Sequence, residues 1–148
     1  VVAGSNGHLV RWSVTDGWQD LGTLPTGNSA VGYGITADGN TIVGAGNGFQ
    51  GQRALMWTAE TGIVDLNTYL PLHGVDTTGW QLTYARAISA DGRSISGEGF
   101  HNGLNRGWLV TGLGTGTTPG CSADFNGSGS LTVQDIFDFL AAYFAGCP

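Results

Sequence analysis

The residues best suited to chemistry lie in a short segment near the C-terminus that begins at Asp124 and closes at Asp135. Oxygen-bearing side chains recur there at alternate positions, with a glycine at the sixth position and a leucine at the eighth. This spacing is typical of a calcium loop, because Ca²⁺ takes about six to eight oxygen ligands and the glycine permits the sharp turn. The predicted ligands are Asp124, Asn126, Ser128, Ser130 through its backbone carbonyl, Thr132 and Asp135. The competing interpretation is a solvated acidic turn.

Only two of these predicted ligands are carboxylates, since serine stands at the fifth position and aspartate replaces glutamate at the twelfth. We therefore expect weak binding, at the ~0.1 to 1 mM calcium typical of extracellular modules. Apolar residues then recur at helical spacing and predict one helix after the loop. They are Val133, Ile136, Phe137, Leu140 and Phe144. No helical pattern precedes Asp124, so the segment is predicted to be a single loop-helix unit.

An internal repeat precedes this unit. Residues 34–44 match residues 87–97 at a spacing of 53, and residues 12–21 match residues 57–66 at a spacing of 45. The difference predicts an insertion in the loop around Pro71 to Thr78. Two incomplete copies flank the pair, because residues 1–4 match residues 42–45 and residues 106–109 match residues 53–56.

Each copy contains four short runs with strand character, at residues 9–14, 18–21, 31–36 and 41–45 in the first. Asp38-Gly39 and Asp91-Gly92 separate apolar runs, which predicts tight hairpins with positive φ at both central positions. Four short strands in roughly 45 to 50 residues make up one propeller blade. We therefore expect a mainly β fold of propeller-like repeats, each with four short antiparallel strands, plus the small C-terminal calcium loop-helix unit.

Composition divides the chain into residues 1–111, a Gly/Thr/Pro linker at 112–120 and the calcium unit at 121–148. The chain begins with Val1, and Gly-Cys recurs at 120–121 and 146–147, so truncation at both ends is expected. A helix over residues 133–144 would span about 18 Å, whereas the Cα atoms of bridged cysteines lie about 4.4 to 6.8 Å apart. Cys121 is therefore expected to pair with a cysteine beyond Pro148 rather than with Cys147.

Charge narrows the classes of partner. The net charge is −6, and the five basic residues are all arginines without a cluster, which argues against nucleic acid as a partner. No apolar run approaches the roughly 20 residues of a membrane span. Cysteines that flank a calcium loop suit an oxidising compartment, so we expect an extracellular or cell-surface location.

Other polar and aromatic residues have simpler interpretations than a site. Asp38 and Asp91 could form a catalytic pair, but their recurrence at one repeat position favours turn residues, and no catalytic residue is predicted. Glu60 and Glu98 are expected to be solvated. The three histidines, His8, His73 and His101, lack metal-ligand spacing. Trp12 and Trp57 are expected in the core. The tryptophans that could line a carbohydrate surface are Trp18, Trp80 and Trp108.

The repeat resembles the bacterial extracellular HAF repeat in Arg11-Trp12, residues 20–25 and residues 34–39. That resemblance implies a propeller-like extracellular unit of unestablished activity, although residues 66–71 depart from its Leu-Gly-x-Leu-Pro pattern. Residues 121–148 resemble one repeat of a Gly-Cys type dockerin, which implies a cohesin-like protein partner and a link to polysaccharide catabolism. The expected function is a secreted or cell-surface, non-enzymatic repeat protein with a calcium-binding attachment module. The alternatives are part of an extracellular polysaccharide-degrading enzyme, ancillary or catalytic, and a carbohydrate-binding module.

Overall fold

The computed structural model describes residues 1–48 and 50–113. The chain divides into two units, Val1–Gly114 and Thr115–Pro148, and the described residues belong to the first. The predicted calcium loop, the helix after it and most of the predicted linker lie outside the described residues.

Three antiparallel sheets follow one another along the chain. Sheet 1 contains β1 (Val2–Ser5), β2 (Leu9–Ser13) and β3 (Gly17–Gly22). Sheet 2 contains β4 (Ala30–Ile35), β5 (Thr41–Gly48), β6 (Gly51–Thr58) and β7 (Gly62–Asp65). Sheet 3 contains β8 (Trp80–Ile88), β9 (Ile95–His101) and β10 (Leu104–Val110). A short helix, α1 (Leu66–Leu72), connects sheets 2 and 3. The mainly β, antiparallel part of the prediction is therefore confirmed.

The four strands predicted for the first copy exist, but they do not share a sheet. The first two are β2 and β3 of sheet 1, and the last two are β4 and β5 of sheet 2. The chain changes sheet after β3, so the complete four-stranded unit runs from Ala30 to Asp65 and is shifted by two strands from the predicted copy. The three sheets of the described residues do not close into a barrel or ring.

Strand register confirms most of the repeat alignment. Arg53 lies opposite Gly46 in sheet 2, and Arg106 lies opposite Gly99 in sheet 3, which preserves the predicted spacing of 53. At the N-terminus the alignment is wrong by one residue. Trp12 and Trp57 hold equivalent positions. Ile42 lies opposite Trp57, and Val2 lies opposite Trp12, so the residue that matches Ile42 is Val2 and not Val1.

Both faces of sheet 2 are buried. Successive residues of a strand point to opposite sides of the sheet, and each side of sheet 2 packs against a different neighbour. One face contributes Ala30, Ile42 and Leu55 to a core cluster with Leu9 and Leu24 of the sheet 1 region. The other face contributes to a second cluster with sheet 3 and α1. That cluster contains Val43, Ala54, Met56, Leu66, Leu70, Leu82, Ala85, Ile95 and Trp108. Sheet 2 therefore joins both cores.

The outer faces of sheets 1 and 3 both expose apolar side chains, and that of sheet 3 also carries polar ones. On sheet 1 the face away from sheet 2 carries Val2 and Trp18, which are 55% and 71% exposed. On sheet 3 the corresponding outward positions hold Ser96 and Glu98, where the register of sheet 2 places Val43 and Ala45. The outer face of sheet 3 is therefore polar at two positions that are apolar in sheet 2, but Leu109 and Phe100 on the same face are exposed apolar residues.

Glu98 is partly solvated, as expected, with its side chain 39% exposed, and it also pairs with Arg86. The Arg86 guanidinium also lies 4.2 Å from the ring centroid of Tyr84 and 4.8 Å from that of Tyr33. The ion pair joins neighbouring strands, which sequence spacing alone does not reveal.

Helix α1 occupies part of the region predicted as an inserted loop. Asp65 Oδ1 caps the helix by accepting from the Asn67 backbone N–H at 2.8 Å, which is a typical N-cap interaction. Asn67 then binds β8, because its Nδ2 donates to the Leu82 carbonyl and its Oδ1 accepts from the Leu82 N–H. Pro71 inside the seven-residue helix obscured the helical pattern, so the insertion is a helix followed by a loop.

Candidate functional site

The predicted calcium ligands, residues 124–135, lie outside the described residues, so the calcium site stays a prediction. Within residues 1–48 and 50–113, no group of three or more His, Cys, Asp or Glu side chains could hold a metal ion. The histidines make other contacts: His8 pairs with Asp20, and the rings of His73 and His101 stack on Tyr69 and Trp80. In that same part of the chain, no helix is long and apolar enough to span a membrane.

The turn between β4 and β5 is held by side-chain hydrogen bonds. Asp38 Oδ1 accepts from Thr36 Oγ1 at 2.6 Å and from the Asn40 N–H at 3.0 Å. Thr36 Oγ1 in turn accepts from the Thr41 N–H at 3.0 Å. Positive φ occurs at Gly39, with φ 73°, and not at Asp38. The prediction of positive φ at both central positions is therefore wrong, because the Gly39 N–H bonds to the Thr36 carbonyl and leaves Asp38 in an ordinary conformation.

The turn between β8 and β9 repeats this arrangement. Asp91 Oδ1 accepts from Ser89 Oγ at 2.5 Å and from the Arg93 N–H at 3.0 Å. Ser89 Oγ accepts from the Ser94 N–H at 2.9 Å. The two turns also contact each other through the Ala37 N–H, which donates to the Ala90 carbonyl at 3.1 Å. Both aspartates therefore have the same structural task in adjacent turns.

These hydrogen bonds favour the ionised form of the two carboxyls. Bonds from Thr36 and Asn40 hold the pKa of Asp38 below its ordinary value, and bonds from Ser89 and Arg93 do the same for Asp91. A hydrogen bond stabilises the charged form of a carboxyl and so lowers its pKa. Both groups are ionised at neutral pH, which is the wrong state for a general acid.

We expect Asp38→Asn to flatten the loss of stability in acid. A lowered folded-state pKa contributes stability above the ordinary aspartate pKa of about 4, and that stability is lost as pH falls through the folded-state pKa. Urea unfolding at pH 7, 4 and 3 should show a less stable variant at pH 7 with a shallower decline below pH 4. Glu60→Gln, in the exposed turn between β6 and β7, is the control. Equal declines for the wild type and Asp38→Asn would contradict the expectation.

A basic side chain pairs with an aspartate at equivalent positions in sheets 1 and 2. In sheet 2, Arg53 Nε lies 3.6 Å from Asp65 Oδ2, and the Arg53 side chain is only 12% exposed. In sheet 1, His8 Nδ1 lies 3.0 Å from Asp20 Oδ2. The sequence spacing of 45 relates the two pairs. This recurrence was visible in the sequence and could have identified both pairs.

A cleft of about 550 Å³ adjoins the Arg53–Asp65 pair. Leu24 and Pro25, after β3, form one wall, and Tyr69 of α1 forms part of another. The volume falls in the range of small-molecule sites, and the mixture of apolar walls with a few polar groups is typical of them. The cleft can accommodate a small ligand that combines an apolar face with hydrogen-bonding groups.

The tryptophans only partly follow their predicted roles. Trp108 is buried, at 7% exposure, so its assignment to a carbohydrate-facing surface is wrong. Trp80 is half-buried, and its ring stacks on His101 with centroids 4.8 Å apart. Trp57 packs against the core between sheets 1 and 2, whereas Trp12 lies half-buried on the outer face of sheet 1. Trp18 is the most exposed of the five.

No family model, curated protein or solved structure matches the chain.

Proposed function

We propose that the protein is a secreted or cell-surface, non-enzymatic repeat protein. Its sheets form a propeller-like array, and its C-terminal unit binds calcium and attaches the chain to a cohesin-like protein partner. The observation that carries the non-enzymatic part is the repeated use of Asp38 and Asp91 as turn residues.

An enzyme that cleaves polysaccharides needs two carboxyl groups across a cleft, one of them kept protonated by a raised pKa. The carboxyls with shifted pKa in the described part of the chain are all shifted downward: Asp20, Asp38, Asp76 and Asp91. Asp38, Asp76 and Asp91 each accept a hydrogen bond from within their own turn or loop, and Asp20 of β3 accepts from the Gly22 N–H, which stabilises the ionised form. These carboxyls support a structural role better than catalysis.

The propeller-like arrangement is supported by sheet 2. It has four antiparallel strands in one meander, and neighbouring sheets cover both of its faces. A blade in a stacked array has these properties, since it cannot bury its apolar faces alone. The equivalent strands of sheets 1 and 3 follow the same register.

The attachment role depends on the spacing of residues 124–135. Calcium would bind the folded loop and thereby stabilise the unit that presents the following helix to a partner. The same loop with its ligands removed should not gain structure from calcium.

We expect the whole chain to bind calcium with a Kd of ~0.1 to 1 mM and to gain helical signal on binding. Asp124→Ala should abolish both effects, because the loop loses its first ligand and one of its two carboxylates. Asp76→Ala, which removes an aspartate from the loop before β8, is the matched control and should leave both unchanged. Isothermal titration and circular dichroism measure the two effects. Equal calcium binding by the wild type and Asp124→Ala would refute the site.

A further inference from the structure

Within the described part of the chain, one edge of strand β10 is unpaired, and this edge is called the open edge below. In sheet 1, β2 pairs with β3, and in sheet 2, β6 pairs with β7, but no strand within residues 1–48 and 50–113 pairs with the equivalent edge of β10. The strand spans seven residues, Leu104–Val110, with Arg106 as its one charge and no proline. An edge of this kind is a template for another strand.

A buried donor lies beside this edge. The Trp108 side chain is buried, yet its Nε1–H has no hydrogen-bond partner in the described part of the chain. Trp108 lines a cavity of about 390 Å³ together with Val75, Trp80 and Val110. Buried donors are normally paired, because an unpaired one forfeits its interaction with water without replacement. The unpaired indole therefore points to an occupant that brings an acceptor.

The register of the other two sheets specifies that occupant. Trp18 of β3 lies opposite Trp12, and Asp20 lies opposite Val10. In sheet 2, Ile63 of β7 lies opposite Trp57, and Asp65 lies opposite Leu55. In β10, Val110 holds the position of Trp57, and Trp108 holds the position of Leu55. A strand that completed sheet 3 would therefore place an apolar residue opposite Val110 and an aspartate opposite Trp108.

The charge on Arg106 agrees with this register. Arg53 pairs with Asp65 within sheet 2, and Arg106 holds the register position of Arg53. The Arg106 guanidinium donates to the Asn105 carbonyl and has no carboxylate within ion-pair distance in the described part of the chain. An aspartate opposite Trp108 would supply the missing anion.

We propose that the open edge of β10 and the cavity at Trp108 form a docking site for an extended peptide segment of the sequence apolar–x–Asp–Leu. The segment adds to sheet 3 as an antiparallel fourth strand, in the manner of β3 and β7. Its backbone pairs with β10, and its aspartate binds Arg106 next to the Trp108 indole. Such strand addition takes affinity from main-chain bonds and specificity from alternate side chains. The chain itself leaves β10 in another direction, because the Leu113 N–H bonds to the Arg93 carbonyl.

The test uses the whole ¹⁵N-labelled chain and a synthetic peptide with the sequence of residues 62–67, Gly-Ile-Val-Asp-Leu-Asn. Titration should shift the Trp108 indole N–H resonance and slow hydrogen exchange of the β10 amides that face the open edge. A peptide with asparagine in place of aspartate should bind about fivefold more weakly, the effect of losing a partly exposed ion pair.

A double-mutant cycle identifies the contact. Arg106→Gln should bind the aspartate and asparagine peptides equally, whereas Arg93→Gln, a matched loss of charge outside β10, should keep the fivefold preference. The proposal is overturned if millimolar peptide leaves the Trp108 resonance unchanged or if Arg106→Gln keeps the preference. It is also overturned if the β10 amides at the open edge are already protected from hydrogen exchange in the absence of peptide. Protection independent of protein concentration would assign the edge to residues beyond 113, and protection that grows with concentration would assign it to a second copy.

Discussion

Replacing Gly44 with alanine should lower the free energy of unfolding by about 3 kcal/mol. Gly44 lies in β5, and a Cβ atom at this position would be 1.9 Å from the Val31 carbonyl oxygen and 3.1 Å from the Gly32 Cα. Both neighbours are backbone atoms of β4, so no side-chain rotation relieves the overlap. The β4–β5 ladder must therefore open or shift.

Urea unfolding of Gly44→Ala beside Gly107→Ala measures this effect. Gly107 also lies in a strand, but a Cβ there would be 3.7 Å from its nearest neighbour, the Gly97 carbonyl oxygen. Gly107→Ala should therefore be neutral or stabilise slightly, because alanine reduces the freedom of the unfolded chain. Gly97 repeats the close approach of Gly44, with the Tyr84 carbonyl oxygen 1.9 Å from its Cβ position. If Gly44→Ala and Gly107→Ala changed the free energy of unfolding by similar, small amounts, the backbone of β4 would be able to shift without breaking its hydrogen bonds to β5, which would contradict the prediction.

Leu55→Ala should also cost about 3 kcal/mol, because Leu55 is fully buried in the core between sheets 1 and 2 and truncation there leaves a cavity. Each loss is a large fraction of the roughly 5 to 15 kcal/mol that stabilises a typical domain. Leu109→Ala is the control, since Leu109 is also a strand leucine and is 66% exposed. It should change stability by less than about 0.5 kcal/mol.

The same variant tests cooperativity. Sheet 2 contributes side chains to both cores, so a cavity at Leu55 should lower the stability of sheet 3 as well. Native-state hydrogen exchange should show faster exchange in β9 together with β2 and β5. Unchanged exchange in β9, or two separate unfolding transitions, would mean that the two cores unfold independently.

The strands could be predicted from the sequence because alternating apolar residues and Asp-Gly turns are local signals. The assignment of strands to sheets could not, since it depends on where the connection after Gly22 leads the chain. Helix α1 was hidden because one cap, Asp65, and two buried leucines are too few for a recognisable helical pattern. The partner of Glu98 could not be identified for a related reason, as Arg86 is adjacent only across the β8–β9 pairing.

The candidate sites also differ in whether local sequence patterns could predict them. Ligand spacing in residues 124–135 is a local pattern, so the calcium prediction could be made residue by residue, and it stays a prediction. The edge of β10 could not be recognised from sequence, because its chemistry depends on a neighbouring strand that the described residues do not supply. Arg106 and Trp108 become informative only when the register equates them with Arg53 and Leu55.

The outer face of sheet 3 combines polar and apolar side chains. Ser96 and Glu98 share it with Leu109 and Phe100, which are exposed. A layer that covered this face would have to keep the ion pair of Glu98 with Arg86, because burying an unpaired charge costs free energy. The outer face of sheet 1 likewise exposes Val2 and Trp18. Within the described residues, both outer faces therefore present apolar surface, and neither is a polar cap that would prevent a further layer from covering it.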